Sequence, residues 1–145
     1  MTVDGETTGK IEKGLVILVG VTHDDEQADI DYLVNKTVNL RIFRGKEEKA
    51  WFDQSLLEVG GSVLLVSQFT LYADTRKGRR PGFTASASSE LASPIFDRVV
   101  EAFEYAGVNV QQGVFGAMMD VELVNEGPAT FILDSTDRYR SRRKG

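Results

Sequence analysis

Gly60-Gly61-Ser62-Val63-Leu64-Leu65-Val66-Ser67-Gln68-Phe69-Thr70-Leu71 lies near the middle of the chain, and its reading decides the fold. Two glycines open it, four consecutive aliphatic residues follow, and Ser67, Gln68 and Thr70 then appear with no charge among them. A short apolar run rich in Val and Leu, bounded by turn residues, predicts a strand covered on both faces. Its polar end carries the functional information. Uncharged hydrogen-bonding groups there must face a partner, a pocket or water, because burial without a partner costs about 1–3 kcal/mol per group. On spacing alone, Ser67 and Gln68 serve equally well to end the strand by bonding neighbouring backbone.

Working outward, Leu15–Val21 is a second continuous apolar run and predicts another strand. Met1–Val3, the hairpin dipeptide Asp4-Gly5 and Glu6–Ile11 predict a strand, a tight turn and a return strand. Asp24 and Asp25 offer an N-cap to an amphipathic helix running to about Asn39, with Ile30, Leu33, Val34 and Thr37 at helical spacing. Arg41–Phe43 is expected to be extended, Trp51 and Phe52 to return to the core, and a turn or short helix to precede Gly60. Beyond the central strand, Tyr72–Thr84 is a long polar loop. Ser93-Pro94 then predicts the start of a second helix and Gly107 its stop, with Ile95, Val99, Phe103 and Ala106 facing inward. Val108–Gln112, Met118–Val124 and Ala129–Leu133 are expected strands, the last two joined by the turn Asn125-Glu126-Gly127-Pro128. These elements predict an α+β fold: a single domain with a largely antiparallel, barrel-like sheet packed against two helices. Residues 1–133 form that domain, and 134–145 are read as a basic, disordered tail.

Composition narrows the chemistry. The chain has 145 residues, no cysteine and one histidine. Disulfides, thiolate metal sites, cysteine nucleophiles and multi-histidine zinc sites are thereby excluded. No metal or cofactor is expected, and His23 reads as a solvated loop residue. Aliphatic runs are too short to span a membrane, no signal peptide is visible, and a cytoplasmic setting is expected. Net charge is −5, yet Arg76, Lys77, Arg79 and Arg80 form one cationic cluster and Arg138, Arg140, Arg142, Arg143 and Lys144 another. Outside those clusters, eight cations face 22 acids. An acidic body with two concentrated basic stretches holds a polyanion locally and repels it elsewhere, although such runs also serve simply as solvated faces.

Three segments carry a resemblance. Ser67-Gln68-Phe69-Thr70-Leu71 matches an SQxxL motif, Asn125-Glu126-Gly127-Pro128-Ala129-Thr130 matches NxGPxT, and Arg80-Pro81-Gly82-Phe83 lies between them. Either motif alone is weak. Both together, in this order and from Met1 to about Leu133, closely resemble the D-aminoacyl-tRNA deacylases. The resemblance implies a homodimeric hydrolase that removes D-amino acids, and glycine mischarged on tRNA for alanine, from tRNA. It implies a cis Gly127-Pro128 peptide inserted from one subunit into the active site of the other, where it rejects L-amino acids. It also implies that the terminal 2′-hydroxyl of the tRNA assists hydrolysis, so that no side chain of the Ser67, Gln68, Phe69 and Thr70 segment is indispensable. Backbone N–H groups near Phe69 and Thr70 are the candidate oxyanion donors.

Phe83 and Met119 are expected to line the adenosine pocket, with Phe83 stacking on the base. Arg76, Lys77, Arg79 and Arg80 are expected to meet tRNA phosphates, and DNA is not an expected partner. Family members usually begin with one further strand, carrying an arginine that supports the Gly-Pro turn. This sequence starts after it, which leaves a sheet edge open and the turn less supported. Two other classes fit the same residues: a tRNA- or RNA-binding module that hydrolyses nothing, and an esterase with Thr70 as nucleophile.

Overall fold

In the computed structural model, residues 1–45, 47, 51–127 and 129–140 are described. The central run forms a six-residue strand, Ser62–Ser67, with Val63 to Val66 all buried. Taking the chain in order, β1 (Thr2–Val3) and β2 (Glu6–Thr7) form a hairpin, and β3 is Gly14–Val19. Helix α1 (Gln27–Asn39) follows, then β4 (Arg41–Phe43), β5 (Gln54–Ser55) and the single turn α2 (Leu56–Val59). The central strand is β6, α3 spans Ser89–Tyr105, and β7 is Val110–Gln112. Short 3-10 turns cover Phe69–Tyr72 and Ser135–Tyr139.

The main sheet differs from expectation. Its order is β3-β6-β7 and both pairings are parallel, with Leu15 opposite Val63 and Val63 opposite Val110. Only the small pairs β1-β2 and β4-β5 are antiparallel, and among the described residues nothing closes into a barrel. The reason is connectivity. The chain passes through α1 between β3 and β6 and through α3 between β6 and β7, and such crossovers return each strand in the same direction. Continuous apolar runs, rather than alternating ones, are what a parallel strand with both faces covered requires.

Side chains of β6 alternate between two apolar clusters. Val63 and Leu65, both 0 % exposed, pack with Ile30, Val34 and Val38 of α1 and Ile95, Phe96, Val99, Val100 and Phe103 of α3. Leu64 and Val66 point the other way, onto Met1, Ile11, Val16, Met119 and Val121. The hairpin turn holds Asp4 and Gly5 at φ of 50° and 80°, the positive values an Asp-Gly turn favours.

Other expectations are corrected at their ends. Glu26, not Asp24 or Asp25, caps α1 in a reciprocal capping box with Asp29, while Asp25 accepts from the Thr22 N–H at 2.8 Å. Helix α3 starts after Ser88, so Pro94 lies inside it; apolar packing of Ala92, Ile95 and Phe96 holds the turn that proline weakens. Trp51 and Phe52 do not enter the core. They remain about half exposed, with the Arg44 guanidinium 3.8 Å over the Trp51 ring and Phe131 against Phe52 at 6.0 Å.

The two late strands are absent among the described residues: residues 118–133 join the sheets only through a Thr2–Asp120 bridge. Alternation supplies a face, but a ladder needs a free edge beside it, and Met118, Val124 and Ile132 instead stand more than nine-tenths exposed. The tail expected to be disordered begins with an ordered turn, Ser135–Tyr139, whose Ser135 is buried; residues 141–145 lie outside the described residues. Among the described residues, no helix is long and apolar enough to cross a membrane.

Candidate active site

The β3-β6 ladder ends where the Gln68 N–H donates to the Val19 carbonyl at 2.8 Å. The chain then tightens into the Phe69–Tyr72 turn, with Leu71 N–H donating to the Gln68 carbonyl at 3.2 Å and Ala73 N–H to the Thr70 carbonyl at 3.0 Å. Entering a helical turn leaves the first N–H groups without intrahelical acceptors. Accordingly, neither the Phe69 nor the Thr70 N–H donates to a protein acceptor among the described residues. Two consecutive free donors at the open end of a rigid strand form a small site for developing negative charge.

Ser67 and Gln68 are partly buried, whereas Phe69 and Thr70 are exposed. The Gln68 carboxamide donates to the Thr70 hydroxyl, which fixes that side chain. His23 is not placed to activate it: its Nε2 pairs with the Thr84 carbonyl at 2.6 Å. Phe83 returns beside Phe69, ring edge to face at 5.0 Å between centroids. Phe69 and Phe83 thus form an aromatic shelf next to the free N–H pair. Two open clefts, of about 500 and 250 Å³, lie elsewhere, between α1 and α3 and beside Thr22 and Pro94. Concavity alone is the poorer guide here, because neither cleft contains the uncharged polar segment Ser67–Thr70.

The cationic loop is closed at its base. Asp74 and Gly82 exchange backbone hydrogen bonds of 2.7 and 2.8 Å, which makes residues 75–81 an exposed finger. Arg76 folds back onto Asp74, its Nε and Nη2 each donating at 2.9 Å. That contact holds the Asp74 carboxyl below its usual range and the Arg76 guanidinium above its own. Lys77, Arg79 and Arg80 are exposed and have no ion-pair partner among the described residues. The loop's return is pinned by Thr22 Oγ1, which donates to the Ala85 carbonyl at 2.5 Å, and by Ala87 N–H, which donates to Val21 at 2.9 Å.

Met119 lies in the cluster on the other side of β6, with Met1, Leu64 and Val66. By alternation Gln68 continues that same row, so Met119 and Gln68 share a sheet face. Gly127 is exposed in a turn braced by the Asn125 amide, which donates to Thr130 Oγ1 at 3.2 Å. Within one chain, Gly127 makes no hydrogen bond to Ser67–Thr70 among the described residues, and Pro128 lies outside them.

Sequence reasoning passed over Asp74, whose position two residues before Arg76 is the signal for the closed loop base. It also passed over Tyr72, where burial, and then the negative charges of Asp25, Asp134 and Asp29, push the phenol up. No local pattern marks that influence, since it joins three distant segments.

Among the described residues no three potential ligands gather to hold a metal ion. Compared with known proteins, residues 1–134 match the D-Tyr-tRNA(Tyr) deacylase family. The chain is 50 % identical over 139 residues to the D-aminoacyl-tRNA deacylase of Clostridioides difficile, covering 96 % of this chain and 92 % of that one. It is 52 % identical to the Chloroflexus aurantiacus enzyme of the same name, with 100 % and 89 % covered. Among solved structures, the c-Myc DNA unwinding element binding protein matches with a TM-score of 0.81 and 31 % identity, covering 88 % and 86 %. A probable eukaryotic D-amino acid tRNA deacylase shares the fold at a TM-score of 0.74 and 20 % identity, with 88 % of each chain covered.

Proposed function

The chain belongs to the D-Tyr-tRNA(Tyr) deacylase family and is a D-aminoacyl-tRNA deacylase, and from that premise we propose how its residues carry out the reaction. Water attacks the carbonyl carbon of the ester linking a D-amino acid to the terminal ribose of tRNA. The carbonyl oxygen becomes an oxyanion, which the Phe69 and Thr70 N–H groups receive. Collapse breaks the bond to the ribose oxygen, which takes up a proton and leaves as free tRNA. The neighbouring 2′-hydroxyl assists the proton transfers, in keeping with a Ser67–Thr70 segment that itself carries no histidine, lysine or carboxylate. Glycine mischarged on tRNA for alanine passes by the same route, because a site that excludes an L side chain does not thereby require a D one. The observation carrying this reading is the pair of consecutive undonated N–H groups beside the Phe69–Phe83 shelf.

Stereochemical selection falls to Gly127-Pro128, in the cis geometry typical of the family. Backbone placed where an L side chain would project cannot move aside, and rejection by such a wedge exceeds the 10–200-fold that about one methylene supplies. The wedge acts across a homodimer, which the exposed apolar residues Met118, Leu123, Val124, Phe131 and Ile132 support as an association face. Phe83 and Met119 receive the terminal adenosine and the cationic loop the acceptor-stem phosphates. Translation places the enzyme in the cytoplasm.

The test is release of amino acid from D-tyrosyl-tRNA, L-tyrosyl-tRNA and a small D-tyrosyl ester. Release from the D-aminoacyl-tRNA alone supports the reading. Equal release from both enantiomers removes the wedge. A second reading, nucleic-acid binding without hydrolysis, is favoured by the likeness to the c-Myc DNA unwinding element binding protein. Retention of tRNA or DNA with no release selects it.

Thr70→Ala separates substrate-assisted hydrolysis from a threonine nucleophile. With the backbone N–H pair intact, kcat is expected to stay within about five-fold of the parent, since only the Gln68–Thr70 contact is lost. Single-turnover release from D-aminoacyl-tRNA measures it. A loss of roughly 10⁴-fold or more makes Thr70 the nucleophile and Thr70-esterase chemistry the correct account.

A further inference from the structure

The two walls of the site come from stretches well separated in sequence, and one short segment holds both. Residues 19–23 leave the end of β3. The Val19 carbonyl accepts from the Gln68 N–H at 2.8 Å, where the donor turn begins. Gly20 passes so close to that turn that a Cβ on it would lie 3.0 Å from Leu71 Cβ and 3.2 Å from the Tyr72 ring.

The next three residues face the other wall, the return of the cationic loop. The Val21 carbonyl accepts from the Ala87 N–H at 2.9 Å, and Thr22 Oγ1 donates to the Ala85 carbonyl at 2.5 Å. His23 Nε2 meets the Thr84 carbonyl at 2.6 Å. A carbonyl oxygen only accepts, so Nε2 carries a proton in this contact. The single histidine of the chain is exposed, as a solvated loop residue would be, yet its ring is spent on a backbone group 61 residues further on. Thr22 is itself held in place: its N–H donates to Asp25 Oδ2 at 2.8 Å and its carbonyl accepts from the Asp25 N–H at 3.3 Å.

Phe83 therefore lies between two sets of pins. On one side Gly82 exchanges backbone bonds with Asp74; on the other, Thr84 and Ala85 are gripped by His23 and Thr22. The Phe83 carbonyl also accepts from the Ser86 N–H at 3.1 Å. The Phe83 ring is 36 % exposed and meets Phe69 at 5.0 Å. A partly exposed ring on a loop keeps one place only if the backbone carrying it is fixed.

We propose that His23 is a positioning residue for the terminal adenosine of the substrate, acting through Phe83. With Thr22 it clasps the backbone that follows Phe83 and so holds that ring beside Phe69, ready to stack on the base. A platform ordered in advance spares the substrate the cost of ordering it on binding. The Gln68–Val19 bond that sets the donor pair lies outside the clasp, so the clasp governs binding and not the chemical step. The proposal deepens the reading of Phe83 as the adenosine shelf and rests on it for the effect on substrate, though not for the effect on the loop.

The experiment compares wild type, H23A, H23Q, T22V, F83A and H23A/F83A. In H23A, amide hydrogen exchange at Ser86, the donor to the Phe83 carbonyl, is expected to speed up about ten-fold. Exchange at Leu71 and Ala73, which close the donor turn, should keep the parent's rate. KM for D-tyrosyl-tRNA should rise about five- to ten-fold with kcat within about two-fold, the pattern of lost uniform binding. T22V removes the hydroxyl at nearly constant shape and should move both readings the same way. H23Q keeps a side-chain donor and should recover most of the loss. On an F83A background, H23A should add less than about two-fold, as residues acting through one another require. Unchanged Ser86 exchange in H23A overturns the clasp, and so does an H23Q as impaired as H23A. A ten-fold fall in kcat at constant KM makes His23 an acid–base group instead, and a flatter salt dependence of binding makes it a phosphate contact. Full additivity of H23A and F83A removes Phe83 as the route. If wild type releases no D-tyrosine, the hydrolytic reading fails alone; if F83A leaves KM unchanged, the adenosine shelf fails, and in both cases the exchange data still decide the clasp.

Discussion

K77Q/R79Q/R80Q is expected to bind aminoacyl-tRNA about 100- to 1,000-fold more weakly than the parent at roughly 0.1 M salt. Each phosphate contact contributes about 0.7–0.9 to the slope of log K against log salt, so three lost contacts should flatten that slope by about 2–3. The triple variant spares Arg76, whose guanidinium is already committed to Asp74. Neutralising Arg76 would therefore mix lost phosphate contacts with the loss of its Asp74 pair. Lys77, Arg79 and Arg80 are exposed and have no ion-pair partner among the described residues, so Tm should stay within about 2 °C of the parent. Turnover of a small D-aminoacyl ester, if the parent shows any, should not change. Filter binding across a salt series reads the effect. An unchanged slope would place the phosphate contacts elsewhere and leave the finger a solvated surface.

That loop also shows where a sequence is readable and where it is not. The cations and the turn residues Pro81 and Gly82 marked an exposed polar loop without any structure. The Asp74–Gly82 bridge that closes it was invisible, because it depends on two backbones meeting across residues 75–81. The same division runs through the fold. β6 was legible as a strand covered on both faces, since an unbroken Val-Leu run admits little else. Its parallel pairing could have followed from the helices on either side of it, but hairpin signals at Asp4-Gly5 and Asn125–Gly127 outweighed them in the reading of the sheet. Alternation in residues 118–133 promised strands. Alternation cannot show that an edge is free to receive one, and Val124 and Ile132 stand exposed as a result. Within the site, Ser67–Thr70 declared itself by lack of charge at a strand end. The Arg138–Asp29 ion pair did not, because it is assembled from opposite ends of the chain.

Gly14→Ala is expected to be the most damaging single methyl group in the molecule's main sheet. A Cβ at Gly14 would lie 1.8 Å from the Ser62 carbonyl oxygen, 2.7 Å from its carbon and 2.8 Å from its nitrogen. All three are backbone atoms of the neighbouring strand, so no rotamer change relieves the overlap. Nor can the strand drift, for Gly14 and Ser62 are the first pair of the β3-β6 ladder and the Ser62 N–H donates to the Lys13 carbonyl at 3.1 Å. The strands must separate or slip, and either exposes or misplaces Val63 and Leu65, the fully buried residues between the sheet and its helices. Loss of about 4 kcal/mol or more is expected, which belongs to the rare severe class of substitutions. Tm should fall by at least about 10 °C.

Function should fail with the register, since the opposite end of the same ladder is the Gln68–Val19 hydrogen bond from which the Phe69–Thr70 turn departs. Gly5→Ala is the control. A Cβ there meets nothing within 4 Å, and only the φ of +80° resists it, at about 1–2 kcal/mol. Urea unfolding of the two variants beside the parent measures both effects. A Gly14→Ala protein with the parent's midpoint would mean that β3 and β6 do not meet in this register, and the strand that presents the free N–H pair would then need another neighbour to hold it.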